Sequence, residues 1–293
     1  MSASISTVAV LGTGTMGQGI AQLCAGAGIQ TRLYDVSAPQ LEKAFISIGA
    51  QLDKLVAKGK LAEAERAATL NRLQRAAELE PACRDVELVI EAAPESMELK
   101  VELLTRVERL IPRTALIGSN TSSLSVTELG RRIDAAERTL GLHFFNPPPV
   151  MPLLEIVRGL GTSEPSVERA LGFARQIQKE PIVVRDFPGF ASSRLGVALG
   201  AEAMRMLESG VASVADIDRA MELGYRHPMG PLKLTDLVGL DVRLAILEHL
   251  QRELGEQFRP PTILRQMVRA GRLGKKVGLG FYRWTDKGPE PAE

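Results

Sequence analysis

A glycine-rich turn near the start of the chain has the spacing that dinucleotide-binding proteins use. Three glycines fall in a GxGxxG motif, Gly12-Thr13-Gly14-Thr15-Met16-Gly17. The motif follows an apolar run and opens a helical stretch, which is the context in which such a loop binds a pyrophosphate. The first glycine permits the tight turn, the second lets the backbone approach the phosphates, and the third lets the helix pack against the strand. We therefore expect residues 12–17 to bind a dinucleotide.

An acidic residue after the second predicted strand favours NAD over NADP. Asp35 follows Gly17 by 18 residues, close to the distance of about 20 at which an acid holds the ribose hydroxyls. Its carboxylate would repel the additional phosphate of NADP. Arg32 lies an odd number of residues away on the same strand and should point to the opposite face. NAD is therefore the expected cofactor.

A histidine and an acid occur in two consecutive strand-like segments. His143 lies within Gly-Leu-His-Phe-Phe-Asn, and Glu155 lies within Leu-Leu-Glu-Ile-Val. If buried, each side chain needs a partner, and neighbouring strands would join them. A carboxylate in such a pair fixes the tautomer of the imidazole and stabilises it when it takes a proton. A purely structural pair, or two groups on opposite faces, is the alternative.

A polar run, Gly118-Ser119-Asn120-Thr121-Ser122-Ser123, lies at the end of another predicted strand. In open α/β sheets, ligands bind beyond the carboxyl ends of the strands. Hydroxyl and amide groups placed there are suited to hold a substrate oxygen and the nicotinamide. The alternative is an ordinary turn in which a serine or threonine caps the helix expected near Val126.

Strands and helices that alternate along the first part of the chain must position these residues. We predict strands at residues 8–11, 31–34, 87–91, 115–118, 139–145, 153–157 and 182–185. The predicted helices between them cover residues 17–27, 39–58, 62–76, 97–110 and 166–178. This alternation predicts an α/β fold with a Rossmann-like, doubly wound and mainly parallel sheet.

The pattern changes after Asp186, where helical stretches at residues 192–208, 214–223, 233–254 and 262–270 are separated by glycines and prolines. The change predicts two domains, residues 1–186 with the dinucleotide site and residues 187–293 as an all-helical domain. The tail, residues 288–293, is expected to fray.

The composition of the 293-residue chain excludes several classes of protein. Hydrophobic residues make up 45% and charged residues 24%, and the formal net charge is +1. We therefore expect a folded core and no nucleic-acid partner. No run approaches the roughly 18 apolar residues of a membrane span. Cys24 and Cys83 lack metal or disulfide spacing, so we expect buried thiols, no metal site and a cytoplasmic location.

Together these segments resemble the L-3-hydroxyacyl-CoA dehydrogenase family, of the bacterial 3-hydroxybutyryl-CoA dehydrogenase type. The resemblance extends over nearly the whole chain in the same order. Its motifs are residues 12–17 with Asp35, and residues 119–124, 141–147, 188–190, 228–231, 238–241 and 274–282.

The resemblance implies reversible NAD-dependent oxidation of L-3-hydroxyacyl-CoA to 3-ketoacyl-CoA, as in the β-oxidation of fatty acids. It assigns His143 as the catalytic base, Glu155 as the acid that orients it, and Ser122 as the serine that binds the 3-oxygen of the substrate. It also implies a homodimer and a second domain that closes over the acyl-CoA. The positions that it places near the cofactor are Glu95, Lys100, Asn120, Asn146 and Lys276.

One position departs from the family pattern. Ser193 stands where the family usually has asparagine just before the arginine that is here Arg194. Serine can still donate a hydrogen bond, although its reach is shorter, so Ser193 remains a candidate contact for the substrate oxygen.

Two lysines are candidates for the phosphates of CoA. Lys54 and Lys58 lie four residues apart on one face of a predicted helix, and ammonium groups bind phosphates as point charges. A solvated helix face is the alternative interpretation.

Two other functions share these features. The first is a related dehydrogenase that acts on a free hydroxy acid or sugar acid such as L-gulonate, with the same cofactor site and His–Glu pair. The second is a non-catalytic protein that binds NADH without turning over a substrate, which would not require His143, Glu155 and Ser122 together.

Overall fold

The computed structural model describes residues 4–292 and divides between Phe187 and Pro188 into two compact units, unit 1 and unit 2. Each unit is built around buried apolar residues of its own.

Unit 1 is a sheet with helices on both faces, as the alternation of apolar runs predicts. Its strands are β1 Thr7–Leu11, β2 Gln30–Tyr34, β3 Leu73–Arg75, β4 Leu88–Glu91, β5 Leu116–Ser119, β6 Thr139–Phe144, β7 Leu153–Arg158 and β8 Glu180–Arg185. Its helices are α1 Thr15–Gly26, α2 Ala38–Ala57, α3 Glu63–Asn71, α4 Leu79–Cys83, α5 Met97–Glu108, α6 Val126–Arg132 and α7 Glu164–Gln176.

Within residues 4–292 the strands of unit 1 form one eight-stranded sheet in the order β3-β2-β1-β4-β5-β6-β7-β8. Strands β1 to β6 pair in parallel, β7 is antiparallel to β6, and β8 is parallel to β7. The predicted doubly wound, mainly parallel sheet is therefore confirmed.

The central strand β1 shows how the sheet separates two apolar layers. Val8 and Val10 pack into the layer with α1, α2 and α7, whereas Ala9 and Leu11 pack into the layer with α4, α5 and α6. Successive side chains of a strand point to opposite faces, so a continuous apolar run serves both layers. Cys24 and Cys83 are buried free thiols, one in each layer.

Unit 2 is mainly helical. Its helices are α8 Ser192–Glu208, α9 Val214–Arg219, α10 Pro231–Val238, α11 Leu240–Leu254 and α12 Thr262–Arg269, and a π-helical turn covers Ala220–Gly224. It ends in a two-stranded antiparallel hairpin, β9 Tyr282–Thr285 with β10 Gly288–Pro291. The expectation that the chain frays from Gly288 is therefore wrong up to Pro291, because backbone pairing with β9 holds this segment.

Two predicted helices differ markedly in extent from those in the structure. The helix predicted over residues 62–76 ends at Asn71, and β3 follows it. The helix predicted over residues 233–254 is two helices, divided at Gly239 with φ 107°. Among the described residues, no helix combines the length and the apolar character that a bilayer span requires.

Candidate functional site

The glycine-rich turn joins β1 to α1, and its three glycines are in different surroundings. Gly12 has φ +89°, and a Cβ there would lie 2.8 Å from the Ala92 carbonyl oxygen. A Cβ at Gly17 would lie 1.8 Å from the Gly12 carbonyl oxygen, so helix and turn require glycine at both positions. A Cβ at Gly14 would meet nothing within 4 Å. The backbone at Gly14 is therefore open to a ligand.

The start of α1 provides donors beside this open backbone. Gly14 is the N-cap of α1 and supplies no side-chain cap to the first amides. A helix N-terminus of this kind binds anionic groups through its amides and its partial positive charge. The backbone of residues 12–17 therefore fits the pyrophosphate of a dinucleotide. Thr13, Thr15 and Met16 contribute their backbone groups as the residues between the glycines.

Asp35 connects the end of β2 to the glycine-rich turn. One carboxylate oxygen accepts hydrogen bonds from the Thr13 amide at 2.8 Å and the Thr13 hydroxyl at 2.9 Å, and the other accepts from the Ser37 amide at 2.9 Å. Gln40 donates to the Thr13 carbonyl at 3.0 Å. Asp35 thus fixes the turn and places a negative charge beside it. Arg32 lies on the opposite side and donates to carbonyls of Pro81 and Arg84.

His143 and Glu155 are opposite each other in the antiparallel pair β6–β7. Directly opposed residues share one face of a sheet, and the Nδ1 atom of His143 lies 2.7 Å from an oxygen of Glu155. Both side chains are buried, and the ring of Phe145 lies 4.6 Å from the imidazole. With Nδ1 held by the carboxylate, Nε2 is the nitrogen suited to proton transfer.

A buried ion pair lies at the adjacent ends of β4 and β5. Lys100 of α5, 1% exposed, places its ammonium 2.7 and 2.9 Å from the two oxygens of Glu91. The same carboxylate accepts from the Ser119 hydroxyl at 2.5 Å and the Ala93 amide at 2.6 Å. Glu91 and Ser119 are register partners in the sheet, so the ion pair fastens both strand ends to α5.

Glu95 holds the polar run that follows β5. One of its oxygens accepts from the Thr121 hydroxyl at 2.7 Å and from the Ser122 and Ser123 amides at 2.9 and 3.1 Å. The Ser122 hydroxyl lies 3.2 Å from that oxygen, and Lys100 lies 3.5 Å from the other. Burial acts to raise the pKa of Glu95, but the Lys100 charge and these hydrogen bonds outweigh it and lower the pKa below its ordinary value.

A helix cap follows the polar run, and the run itself contains a strand contact. Ser125, two residues beyond the run, accepts from the Glu128 amide and caps α6. The carbonyl oxygen of the Asn120 side chain accepts from the Phe144 amide at 3.0 Å. Asn146 follows β6, and the loop after it packs on α1, where a Cβ at Gly19 would lie 2.8 Å from Pro148.

Four other candidates lie on helices or turns. In unit 1, Lys54 is exposed in the last turn of α2, and Lys58 is exposed as its C-cap. In unit 2, Ser193 is in the first turn of α8, and the Lys276 ammonium lies 2.5 and 2.6 Å from the Asp241 carboxylate.

Sequence reasoning missed Glu91, because we read it only as the end of an apolar strand. A carboxylate that closes a buried run needs a buried partner, and that requirement is the signal that was available. Lys100 is the partner, but only the packing of α5 on the sheet brings the two together.

Two family models cover nearly all of the chain. Residues 7–187 match the NAD-binding domain of 3-hydroxyacyl-CoA dehydrogenase, and residues 189–284 match its C-terminal domain.

Individual proteins agree with these models. The chain is 42% identical over 284 residues to a probable 3-hydroxybutyryl-CoA dehydrogenase of Bacillus subtilis (strain 168), covering 97% of this chain and 99% of that protein. It is 41% identical to a 3-hydroxyadipyl-CoA dehydrogenase of Escherichia coli (strain K12), covering 97% of this chain and 60% of that protein. The crystal structure of (S)-3-hydroxybutyryl-CoA dehydrogenase PaaH1 from Ralstonia eutropha matches at TM-score 0.92 and 40% identity, covering 96% of this chain and 100% of that one. The chain belongs to the family of NAD-dependent 3-hydroxyacyl-CoA dehydrogenases.

Proposed function

We propose that this chain oxidises L-3-hydroxyacyl-CoA thioesters such as 3-hydroxybutyryl-CoA, reversibly and with NAD, with His143 as the base. The observation that carries this proposal is the buried contact of 2.7 Å between His143 Nδ1 and Glu155 on directly paired strands. In the oxidation, His143 takes the proton of the 3-hydroxyl at Nε2. Glu155 holds the ring and stabilises its positive charge.

Ser122 and Ser193 are the proposed contacts of the substrate's 3-oxygen. A serine hydroxyl has one donor hydrogen, and that of Ser122 is engaged with Glu95 over a long 3.2 Å hydrogen bond. The Glu95 carboxylate also holds the Ser122 amide, so the backbone stays in place when the hydroxyl turns to the substrate. Donors held in position in this way stabilise charge that develops on the oxygen.

The residues proposed to hold the cofactor lie in unit 1, except for Lys276 in unit 2. Bound NAD supplies the hydride acceptor for oxidation at C3. The turn at residues 12–17 holds the pyrophosphate, and Asp35 holds the adenosine ribose and disfavours the phosphate of NADP. Beyond these, Glu95, Lys100, Asn120, Asn146 and Lys276 are proposed cofactor positions, on the strength of the family resemblance.

The remaining proposals concern CoA, assembly and location. Lys54 and Lys58 are exposed and are proposed to bind the CoA phosphates. A homodimer is supported by large apolar side chains on unit 2 that are more than two-thirds exposed, Leu195, Leu223 and Tyr225. A cytoplasmic location is supported by the two buried free cysteines, which suit a reducing compartment, and a role in β-oxidation is proposed on the family resemblance alone.

The proposal is tested by reduction of acetoacetyl-CoA and longer 3-ketoacyl-CoA thioesters with the purified 293-residue chain. We expect turnover with NADH, much less with NADPH, and none with acetoacetate or with L-gulonate and NAD. Turnover of the free acids alone would identify a hydroxy-acid dehydrogenase instead. Binding of NADH without turnover of any of these compounds would identify a non-catalytic protein.

A further inference from the structure

Arg243 of α11 is a buried cation without a partner in the described part of the chain. It is 6% exposed, its Nε atom is buried without a hydrogen bond, and its guanidinium forms no ion pair within residues 4–292. The nearby acids of α11 have other partners, since Asp241 binds Lys276 and Glu248 binds Arg265. A buried charge without a partner is costly, so this guanidinium indicates a bound anionic group.

The guanidinium remains charged at neutral pH. Burial lowers the pKa of Arg243 to about 10, which is still far above neutrality. Its planar fork of N–H donors matches a carboxylate, to which it binds through two parallel hydrogen bonds.

The facing helix α8 places a glycine against Arg243. A Cβ at Gly196 would lie 3.3 Å from one terminal nitrogen of the guanidinium and 3.9 Å from the other. Gly196 is partly exposed, and because it has no side chain, the guanidinium packs directly against the backbone of α8 at this position. One turn further along, a Cβ at Gly200 would lie 2.9 Å from the Thr235 hydroxyl. That hydroxyl is also buried and has no hydrogen bond among the described residues.

The spacing along α8 matches an acyl chain of defined length. Ser193 and Gly196 lie three residues apart, so they share a face and are separated by a rise of about 4.5 Å. In a six-carbon 3-hydroxyacyl chain, the last carbon is three bonds beyond C3 and lies about 4 Å from it. A substrate whose 3-oxygen contacts Ser193 would therefore bring its terminal group to Gly196 and Arg243.

We propose that Arg243 and Gly196 form a carboxylate-binding subsite, so that the chain prefers 3-hydroxyacyl-CoA thioesters whose acyl chain ends in a carboxylate. This inference rests on the proposed function, because it uses the contact of Ser193 with the 3-oxygen. Arg243 is then a specificity-determining residue that touches the far end of the substrate.

The test compares two substrates of equal chain length, 3-oxoadipyl-CoA with a terminal carboxylate and 3-oxohexanoyl-CoA with a terminal methyl group. We expect the wild-type chain to have the higher kcat/KM for 3-oxoadipyl-CoA with NADH. Arg243→Met should lower that value about 10- to 100-fold, the usual effect of losing a charged hydrogen bond, and should leave 3-oxohexanoyl-CoA little affected. Arg252→Met removes an exposed arginine of the same helix and should leave both values unchanged.

A second variant tests the subsite without removing the charge. Gly196→Ala strengthens the helix propensity of α8, so the protein should fold, while the added methyl group would lie 3.3 Å from one guanidinium nitrogen and displace it. We expect the same selective loss for 3-oxoadipyl-CoA.

The possible results distinguish failure of the carboxylate subsite from failure of the proposed dehydrogenase activity. Equal wild-type kcat/KM values for the two substrates, or losses of equal size for both in Arg243→Met, would overturn the subsite and leave the dehydrogenase activity intact. A change of assembly size in light scattering without a change of preference would also overturn it and assign Arg243 to a contact between copies. Failure of the wild-type chain to reduce any thioester would overturn the proposed function itself.

Discussion

Two buried cations of this protein are in opposite situations. In unit 1, the Lys100 ammonium lies within 2.9 Å of both oxygens of Glu91 and 3.2 Å from the Ala93 carbonyl. In unit 2, the Arg243 guanidinium has no hydrogen bond or ion pair among residues 4–292. The paired cation joins β4, β5 and α5 through its partners, whereas the unpaired one is suited to an anionic ligand.

One cation is neutralised by partners within unit 1, and the other has no partner among the described residues. Glu91 accepts hydrogen bonds from Lys100, Ser119 and Ala93. Glu95 continues this network to Ser122. Removing one member of such a network leaves its partners buried without a hydrogen bond and lowers stability. Removing an unpaired buried charge instead removes the desolvation penalty of that charge. The two cations should therefore respond to the same substitution with opposite signs.

The largest effect on stability is expected from Lys100→Met. The substitution leaves the buried Glu91 carboxylate without its counter-charge, which should lower the free energy of unfolding of unit 1 by about 3–5 kcal/mol. Denaturant unfolding measures the loss, and hydrogen exchange of the β4 and β5 amides localises it. The matched control Lys43→Met changes an exposed lysine and should stay within about 0.5 kcal/mol of the wild type. A Lys100→Met protein as stable as that control would show that the pair does not hold the strand ends.

A smaller effect of opposite sign is expected from Arg243→Met. Replacing an unpaired buried guanidinium by an apolar side chain should raise the free energy of unfolding of unit 2 by about 1–2 kcal/mol in the absence of ligand. Denaturant unfolding of the free protein, followed through Trp284 in unit 2, measures the change against Arg252→Met. A loss of stability would mean that Arg243 is a structural residue, which would remove the contrast between the two cations.

The smallest effect on the free energy of unfolding is expected from Glu95→Gln, and this effect depends on pH. The pKa of Glu95 is lower in the folded chain than its ordinary value of 4.5. The folded state therefore binds fewer protons than the unfolded one, and the contribution of Glu95 is present above pH 4.5 and is lost as pH falls below it. We expect Glu95→Gln to be less stable than the wild type at neutral pH, by about 1 kcal/mol. The difference should shrink on acidification in paired thermal unfolding curves, and a difference that is constant with pH would contradict this role.

Much of unit 1 is predictable because central strands such as β1 and β4 are continuous apolar runs. Residues 8–11 pack on both faces, and such runs separated by helical patterns admit few arrangements other than a doubly wound sheet. The three-residue β3 is too short to interrupt the helical pattern before it. The strand Gly288–Pro291 contains two prolines and exposed side chains, and only its pairing with β9 makes it a strand.

The candidate site also has a part that the sequence predicts and a part that depends on packing. The glycine-rich turn and Asp35 have fixed spacing along the chain, and the contact between His143 and Glu155 follows once two neighbouring strands pair. The partners of Lys100 and the isolation of Arg243 depend on how helices pack, at α5 on the sheet and at α11 on α8. Side-chain spacing in the sequence carries no information about either.

The most direct test of the proposed function is the rate of NADH formation by His143→Gln in a single turnover. With saturating L-3-hydroxybutyryl-CoA and NAD, loss of the base should slow this rate about 1,000-fold, while the Kd for NADH and the thermal stability stay close to those of the wild type. A rate near that of the wild type would contradict the role of His143 as the base.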